Sequence, residues 1–265
     1  MVTIPKKVSD RLSKEIGKFQ RILKTAKDRD VNESDTVTII VDMLASVFGF
    51  DKFLEITSEQ AIRGTFCDLA VKLGGKLKYL IEVKAIGLNL KDNHLRQAIG
   101  YGATHGISWV VLTNGINWEI YKIRFEKPID YDLVCSFDFL GLNPRKQDDQ
   151  GKVFLLCKEG IEKAVIDEFF DHVQSVNRFM VGAITISEPV VSIIRRELRK
   201  ISPDVKVSDE EIKNILTSEV LKRDIVEGEA AGAAMKRVKK QLKKQVSKKN
   251  EKTKEPLNTQ DLPIE

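Results

Sequence analysis

The sequence predicts an α/β protein with a mixed central sheet, helices on both faces of the sheet and a mainly helical C-terminal region. Apolar side chains recur every three or four positions through the first 50 residues, which is the spacing of amphipathic helices. Residues 65–123 contain four short β-rich runs, and helical spacing returns after residue 160. The element order up to residue 123 is α-α-β-β-α-β-β. The helix between the second and third strands is long enough to make those strands parallel.

The first two elements are predicted to be amphipathic helices. The first spans 8–29, with Ser9 as its N-cap, and the second spans 33–48. Two hairpins follow, and a helix over 92–105 connects them. The strands and turns are 65–73 and 77–85 around Gly74-Gly75-Lys76, then 108–113 and 117–123 around Asn114-Gly115.

The second half of the chain is predicted to be helical after an irregular stretch over 126–156. One short strand is expected at 153–157. The expected helices cover 160–180, 188–200, 208–226 and 230–245. We expect a first domain at 1–158, a helical region at 159–228, and a tail at 229–265 that is partly helical and partly disordered.

The charge of the chain is concentrated at its C-terminal end. The 265 residues are 42% hydrophobic and 31% charged, which excludes fibrous, collagen-like and wholly disordered proteins. The net charge is +5, but residues 236–254 alone carry +9, and residues 1–235 carry −1. The basic segment is therefore the part of the chain most suited to phosphate contact, and a solvated face is the alternative interpretation.

Cysteine and histidine usage argues against a disulfide framework and against a zinc site. An odd number of widely spaced cysteines is typical of a reducing compartment, and no run is apolar enough for a membrane span or a signal peptide. We therefore expect a soluble, cytoplasmic protein with no membrane partner. The residues concerned are Cys67, Cys135 and Cys157, with His94, His105 and His172.

Two carboxylates and a lysine form the candidate active site. Asp68 lies in the first β-run, and the second contains Glu82-Val83-Lys84. Alternation along a strand places Glu82 and Lys84 on one face, and hairpin pairing brings Asp68 towards Glu82. Converging carboxylates suit Mg²⁺, with Mn²⁺ as a substitute, and the ammonium can hold a water beside a phosphate. A surface ion pair is the alternative explanation of Glu82 and Lys84.

The pattern Asp-x13-Glu-x-Lys resembles the signature of the PD-(D/E)xK nuclease superfamily. The wider arrangement resembles the N-terminal nuclease domain of type I restriction enzyme R subunits and the stand-alone predicted type IV restriction endonucleases. The resemblance covers roughly residues 30–125. The motifs that carry it are residues 32–36 with 48–51, Cys67-Asp68, residues 81–84, Gln97 with Tyr101, and residues 111–115 with Trp118 and Tyr121.

The resemblance implies a restriction-endonuclease-like α-β-β-α-β core and a metal-dependent endonuclease that hydrolyses DNA phosphodiesters in restriction or phage defence. The resemblance implies that the metal is bound by Asp68, Glu82 and the carbonyl of Val83, and that Glu33 supports it. Asp68, Glu82, Lys84 and Gln97 are the catalytic set, and Tyr101 lines the same cleft and contacts nucleic acid. A capping role is the alternative for Glu33.

The nucleic acid is also expected to contact six side chains of the basic tail: Lys236, Arg237, Lys239, Lys240, Lys243 and Lys244. A translocating motor like that of an R subunit is excluded, because the chain has no phosphate-binding loop of the form G-x4-G-K-[ST]. Two further partners are considered: a second copy joined through the C-terminal helices, and a separate recognition protein. The sequence does not distinguish DNA from RNA. The alternative function is a catalytically silent nuclease fold that binds nucleic acid or docks a partner.

Overall fold

The fold was analysed in a computed structural model, which describes residues 3–58 and 67–252 and the side chains as far as residue 244. The chain forms two compact units, Met1–Asp171 and His172–Glu265. The first unit is α/β with a six-stranded mixed sheet, and the second is helical. Among the described residues, no helix is both long and apolar enough to cross a membrane.

Two helices begin the first unit, as the sequence predicts. They are α1 (Lys6–Asp28) and α2 (Glu33–Ser46). The expected N-cap at Ser9 is wrong, because α1 begins one turn earlier after Pro5, whose fixed φ suits a helix start. The N-cap of α2 is Asn32, whose side chain accepts a hydrogen bond from the backbone N–H of Asp35 at 2.9 Å. This cap fixes the first turn of α2, where Glu33 lies.

The sheet has the strand order β1-β2-β3-β4-β5-β6, and only β3 and β4 are parallel among neighbouring strands of the described residues. The connection between that pair contains a 3₁₀ turn (Asp92–Leu95) and α3 (Arg96–His105), so the predicted crossover helix is confirmed. Residues 65 and 66 of the predicted first strand lie outside the described residues. The strands are β1 (Ile56–Ser58), β2 (Leu69–Leu73), β3 (Lys76–Val83), β4 (Trp109–Thr113), β5 (Asn117–Arg124) and β6 (Asp130–Asp138).

Helices cover both faces of the sheet. The larger core lies between one face and the helices α1, α2 and α4 (Gln147–Phe154), and it includes Ile81 and Val83 of β3. The smaller core lies under α3 and includes Leu80 and Leu112. Successive residues of β3 therefore point to opposite cores, as the period of two requires.

The stretch predicted to be irregular over 126–156 contains β6 and α4, so this part of the prediction is wrong. The strand expected at 153–157 is also wrong: Val153 and Phe154 end α4, and α5 (Lys158–Glu162) follows. Every residue from 153 to 157 is buried in the larger core. A short apolar run that is buried on all sides shows no alternation of apolar and polar residues, so its sequence fits a strand and the end of a helix equally well.

The second unit consists of short helices and one long one. The helix predicted over 160–180 is broken, because Ala164 has a positive φ of 55° and Asn177 caps a new helix. The helix predicted over 208–226 is interrupted by a π turn at Leu216–Val220. The helices after α5 are α6 (Val165–Ser175), α7 (Arg178–Thr185), α8 (Glu188–Ile201), α9 (Asp209–Ile215), α10 (Arg223–Val226) and α11 (Glu229–Lys252).

The first unit extends past the boundary that we predicted at residue 158. Ile161, Val165 and Ile166 are buried in its larger core, so α5 and the first turns of α6 belong to it. A bidentate ion pair supports this segment: the Arg11 guanidinium donates to both oxygens of Glu159 at 2.7 and 2.8 Å. The Arg11 Nε also donates to a main-chain carbonyl, that of Val47, at 3.0 Å.

We expect Glu159→Gln to lower the free energy of unfolding at pH 7 by about 1–2 kcal/mol, since it removes a charge-assisted hydrogen bond. The Arg11 hydrogen bond holds the pKa of Glu159 below its ordinary value of 4.5. A lowered folded pKa gives stability that is present above pH 4.5 and is lost as the pH falls through the folded pKa. The curves of wild type and variant in urea should therefore converge in acid. Glu162→Gln, a change at an exposed neighbour, is the control, and an equal effect there would refute the role of the pair.

Candidate active site

The candidate site lies where the parallel strands β3 and β4 end. Val83 is paired with Thr113 in the ladder, and the backbone N–H of Lys84 donates to the Thr113 carbonyl at 2.9 Å. Lys84 is therefore held by the sheet although it follows the last residue of β3. The carboxyl ends of adjacent parallel strands are a common place for a binding site in α/β proteins.

Asp68 lies immediately before β2 and is fixed to the end of β3. Its Oδ2 accepts a hydrogen bond from the backbone N–H of Val83 at 2.7 Å. Leu69 is paired with Ile81, and one more step of this antiparallel register places Asp68 opposite Glu82. The hairpin thus brings the two carboxylates to the same end of the sheet.

Lys84 is shared between two carboxylates. Its Nζ lies 2.8 Å from Glu82 Oε1 and 3.5 Å from Glu33 Oε2. Glu33 reaches it from the first turn of α2, which the Asn32 cap holds in place. The structure therefore brings Glu33, Asp68, Glu82 and Lys84 together at one edge of the sheet.

Burial and charge act on the ionisable groups of both Glu82 and Lys84. Glu82 is 7% exposed. Its pKa is raised first by burial and then by the negative charges of Asp68 and Glu33, while Lys84 opposes the shift. Burial is also the largest influence on the pKa of Lys84 and lowers it, but the hydrogen bond to Glu82 and the surrounding carboxylates leave that pKa raised overall. The site thus holds more negative charge than one lysine balances.

Carboxylate and main-chain carbonyl oxygens are the ligands that hard divalent cations such as Mg²⁺ prefer. Within residues 3–58 and 67–252, no three Asp, Glu, His or Cys side chains form a ready-made ligand group. The oxygens at this end of the sheet that could hold such a cation are the carboxylates of Asp68 and Glu82 and the main-chain carbonyl of Val83. Burial is the main cause of the raised pKa of Glu82, and a cation there would offset the added repulsion from Asp68 and Glu33.

Two other predicted site residues lie on α3. Gln97 is in its first turn and is exposed. Tyr101 is only 1% exposed, packs in the smaller core and stacks on the His105 ring with 4.3 Å between ring centroids. Because its ring is covered on the sheet side of α3, Tyr101 presents no surface to a nucleic acid, and the structure corrects its expected place in the cleft to one in the core.

The six basic residues predicted to contact nucleic acid lie on α11, which packs against α7. Ala231 and Ala234 form the buried face of α11, and all six basic side chains are exposed. Arg237 also donates to the main-chain carbonyl of Gln174 at 3.2 Å. The segment from Lys236 to Lys244 is therefore a cationic helix face.

The sequence reasoning missed one residue that organises the site. Asn114, predicted only as a turn residue, is 3% exposed, and its Nδ2 donates to the carbonyls of Ile86 and Leu88 at 3.3 and 2.9 Å. Its Oδ1 accepts from the backbone N–H groups of Ile116 and Asn117 at 3.1 and 2.7 Å. One buried side chain thus joins the loop after Lys84 to the turn after β4. The only signal in the sequence was Asn-Gly itself, which indicates a turn and nothing more.

Comparisons with protein-family models, with curated proteins and with solved structures give no match to this chain. The functional assignment therefore rests on the residues and the geometry of the site.

Proposed function

We propose that this protein is a metal-dependent endonuclease of the PD-(D/E)xK type that hydrolyses DNA phosphodiester bonds in restriction or phage defence. The observation that carries the proposal is the position of Lys84 Nζ, 2.8 Å from Glu82 and 3.5 Å from Glu33, beside an Asp68 that is bonded to the backbone of Val83. An isolated surface ion pair needs neither the second and third carboxylates nor a place at the ends of parallel strands.

The order of the elements supports the same proposal. Apart from the short strand β1, which lies between α2 and β2, the helix α2, the hairpin of β2 and β3, the crossover helix α3 and the parallel strand β4 occur in the α-β-β-α-β order expected of a restriction-endonuclease-like core. In this arrangement the acid precedes β2, and the Glu-x-Lys pair ends β3. Asp68, Glu82 and Lys84 therefore all lie at the same ends of β2 and β3.

The chemistry follows from the charges. Asp68, Glu82 and the Val83 carbonyl would hold Mg²⁺ or Mn²⁺, which when bound stabilises the negative charge that develops on the phosphate. Lys84 remains protonated at neutral pH because its pKa is raised, so it donates hydrogen bonds and can orient the attacking water. Glu33 is a second carboxylate within ion-pair distance of the ammonium, 3.5 Å from Lys84 Nζ. Gln97 is proposed to complete the set from α3.

DNA binding is proposed to involve the cationic face of α11. The exposed Lys236, Lys240 and Lys244 recur every four residues, and at about 1.5 Å per residue they are spaced about 6 Å apart along the helix. Such a row can contact successive phosphates without reading bases. Homodimerisation through the C-terminal helices and a separate recognition protein remain further proposals for this unit.

The test of the proposal is cleavage of supercoiled plasmid or phage DNA by the full chain in Mg²⁺ or Mn²⁺. We expect nicked and linear products from the wild type and at least a hundredfold slower cleavage by Asp68→Asn, in line with the about 10²–10⁴-fold that positioned catalytic groups contribute. Asparagine keeps an oxygen that can accept from the Val83 N–H. Asp42→Asn, at an exposed carboxylate on α2, is the control and should cut normally.

Equal cleavage by wild type and Asp68→Asn would overturn the catalytic assignment. DNA binding without cleavage in either metal, unaffected by Asp68→Asn, would instead favour the catalytically silent binding protein. Measuring DNA affinity against salt alongside cleavage separates these results, because phosphate contacts steepen the salt dependence and metal chemistry does not.

A further inference from the structure

The charge of the first unit is segregated along the chain. Residues 1–30, which contain α1, include nine Lys or Arg and four Asp or Glu, a net charge of +5. Residues 31–171, which contain the candidate site, carry −5. The unit is therefore neutral in total, but a cationic helix lies beside an acidic remainder. The proposed reaction does not use this positive charge.

An open groove of about 560 Å³ lies between α1 and α2. Its polar side chains are Arg21, Thr25 and Arg29 from the α1 side and Asp35 and Thr38 from α2, and the rest of its lining is apolar. Arg21 and Arg29 are exposed, and within the described part of the chain neither guanidinium makes an ion pair or a hydrogen bond. The one carboxylate of the lining therefore pairs with neither arginine. Two guanidinium forks with all their donors available favour an anionic occupant such as a phosphate.

The two arginines belong to a longer row on α1. Its members follow one another at three or four residues, so they lie on one side of the helix, and all are exposed. Over 15 residues the row is about 22 Å long, whereas one phosphate takes up about 3.4 Å of a DNA strand. Glu15 partly offsets the two lysines of the row, at 3.7 and 3.4 Å. A row of this length fits successive phosphates of a polymer better than one free phosphate group. Its members are Lys14, Lys18, Arg21, Thr25 and Arg29.

The chain itself limits the distance between this row and the candidate site. Arg29, the C-cap of α1, precedes Glu33 by four residues, and the Glu33 carboxylate lies 3.5 Å from Lys84 Nζ. Four residues span at most about 14 Å, which at about 3.4 Å per phosphate corresponds to about four phosphates. Positions i and i+2 of a helix face different sides, so Glu33 faces the site while Asp35 lines the groove. Only the first turn of α2 lies between them.

We propose that the groove between α1 and α2 binds the sugar–phosphate backbone of the DNA substrate close to the scissile phosphate, with Arg21 and Arg29 contacting phosphates. This proposal rests on the proposed nuclease function. The strand crosses the first turn of α2 between the site and the groove, and Lys18 and Lys14 continue the contacts along α1. Such contacts position the DNA without reading its sequence, because they reach only phosphates.

The test is the salt dependence of duplex DNA binding by the full chain carrying Asp68→Asn, which separates binding from cleavage. We expect Arg21→Gln with Arg29→Gln to weaken binding at least about tenfold at 0.1 M salt. The slope of log Kd against log salt concentration should fall by about 1.8, since each phosphate contact contributes about 0.9. Both changes are at exposed side chains, and circular dichroism checks that the variant folds.

The matched control removes the same charge elsewhere on the first unit, in Lys76→Gln with Lys127→Gln. Both lysines are exposed, and among the described residues they make no ion pair. They lie at the β2–β3 and β5–β6 turns, at the end of the sheet away from Lys84. Equal losses from the two double variants, or an unchanged slope in the groove variant, would overturn the proposal.

A gain of binding tests the groove in a way that misfolding does not imitate. Thr38→Lys adds a cation to the groove and should steepen the slope by about 0.9. Thr104→Lys on α3 should leave it unchanged. Both threonines are exposed, and each hydroxyl donates to the carbonyl four residues earlier, at 3.2 Å for Thr38 and 2.8 Å for Thr104. No steepening at residue 38, or the same steepening at both positions, refutes the groove as the binding surface.

Two further results separate this proposal from the one on which it rests. If the arginine variant binds duplex RNA more weakly but duplex DNA as before, the choice of DNA is wrong. If the wild type cuts DNA in neither Mg²⁺ nor Mn²⁺, the nuclease function is refuted, while the salt slopes still decide whether the groove binds DNA, because they do not depend on turnover.

Discussion

Replacing Lys84 with methionine should reduce DNA cleavage about 10²–10⁴-fold while leaving DNA affinity close to that of the wild type. Methionine keeps most of the aliphatic length of lysine but cannot hold a water or bridge Glu82 and Glu33. The loss should appear in kcat, because the role proposed for the ammonium is to orient the attacking water and not to bind DNA. Single-turnover cleavage with saturating DNA and metal measures it.

The control for this variant must reproduce the loss of a half-buried ion pair. Lys122→Met is that control. Lys122 is on β5 of the same sheet as the site, and its Nζ lies 2.6 Å from Asp167 on α6. The Lys122 side chain is 20% exposed, against 16% for Lys84. We expect Lys122→Met to cost stability without slowing cleavage by the folded protein. Cleavage by Lys84→Met at more than a tenth of the wild-type rate would contradict the role proposed for the lysine.

Replacing Glu82, which contacts Lys84, should change the stability of the protein in the opposite direction to replacing a carboxylate whose ion pair stabilises the fold. Glu82→Gln should abolish cleavage and yet keep or raise the free energy of unfolding at pH 7, by up to about 2 kcal/mol. The reason is that burial and the neighbouring Asp68 and Glu33 disfavour the charged form of Glu82 in the folded protein. A neutral amide removes that repulsion and still accepts a hydrogen bond from Lys84.

The sign of the pH dependence follows from the raised pKa of Glu82. At a pH between 4.5, the ordinary pKa of Glu82, and its higher pKa in the folded protein, Glu82 keeps its proton in the folded protein and has lost it in the unfolded chain. Wild-type stability should therefore fall as the pH rises through that window, and Glu82→Gln should lack this fall. Mg²⁺ should raise the free energy of unfolding of the wild type, because a bound cation stabilises the folded state, and should have no such effect on the variant.

Urea unfolding over a pH series, with and without Mg²⁺, measures both effects. The matched control is Glu55→Gln, since Glu55 is also mostly buried and lies 2.6 Å from Lys158. Its carboxylate accepts from the Asp51 N–H as well, so its replacement should destabilise the protein. If Glu82→Gln is destabilised as much as Glu55→Gln, Glu82 is a structural residue and the proposed metal site is wrong.

Local patterns were sufficient for much of the first unit. The helical spacing of α1 and α2, the two hairpins and the helix between them all occur within a few residues of their predicted positions. These elements share a clear period or a glycine-containing turn, and both are properties of short stretches of chain. The predicted α/β class, the mixed sheet and the helical C-terminal region follow from them and are confirmed.

The elements that were predicted wrongly share a different property. β6 carries exposed aspartates and no strong alternation, and it forms only because β5 offers it an edge to pair with. The apolar run at 153–157 gave no period because all of its faces are buried. In both places a neighbour distant in the sequence decides the conformation, and a local window contains no information about that neighbour.

In the candidate site too, local sequence predicted some features, and the packing of distant segments decided the others. Alternation on β3 was enough to place Glu82 and Lys84 on one face and Val83 in the core, and the hairpin turn was enough to bring Asp68 near. The distance of 3.5 Å between Lys84 and Glu33 joins residues 51 positions apart, and it depends on how α2 packs against the sheet.

The sequence by itself determined α1, α2, the two hairpins and the helix between them, the common face of Glu82 and Lys84, and the three residues of the signature. Only the tertiary structure decided that Glu33 reaches the lysine, that Tyr101 belongs to the core, that the basic segment is a helix face, and that Asn114 fixes the loop beside the site. The physical reason is that periodicity and turn preference act over a few residues. Burial and long-range hydrogen bonds are created only when distant segments pack together.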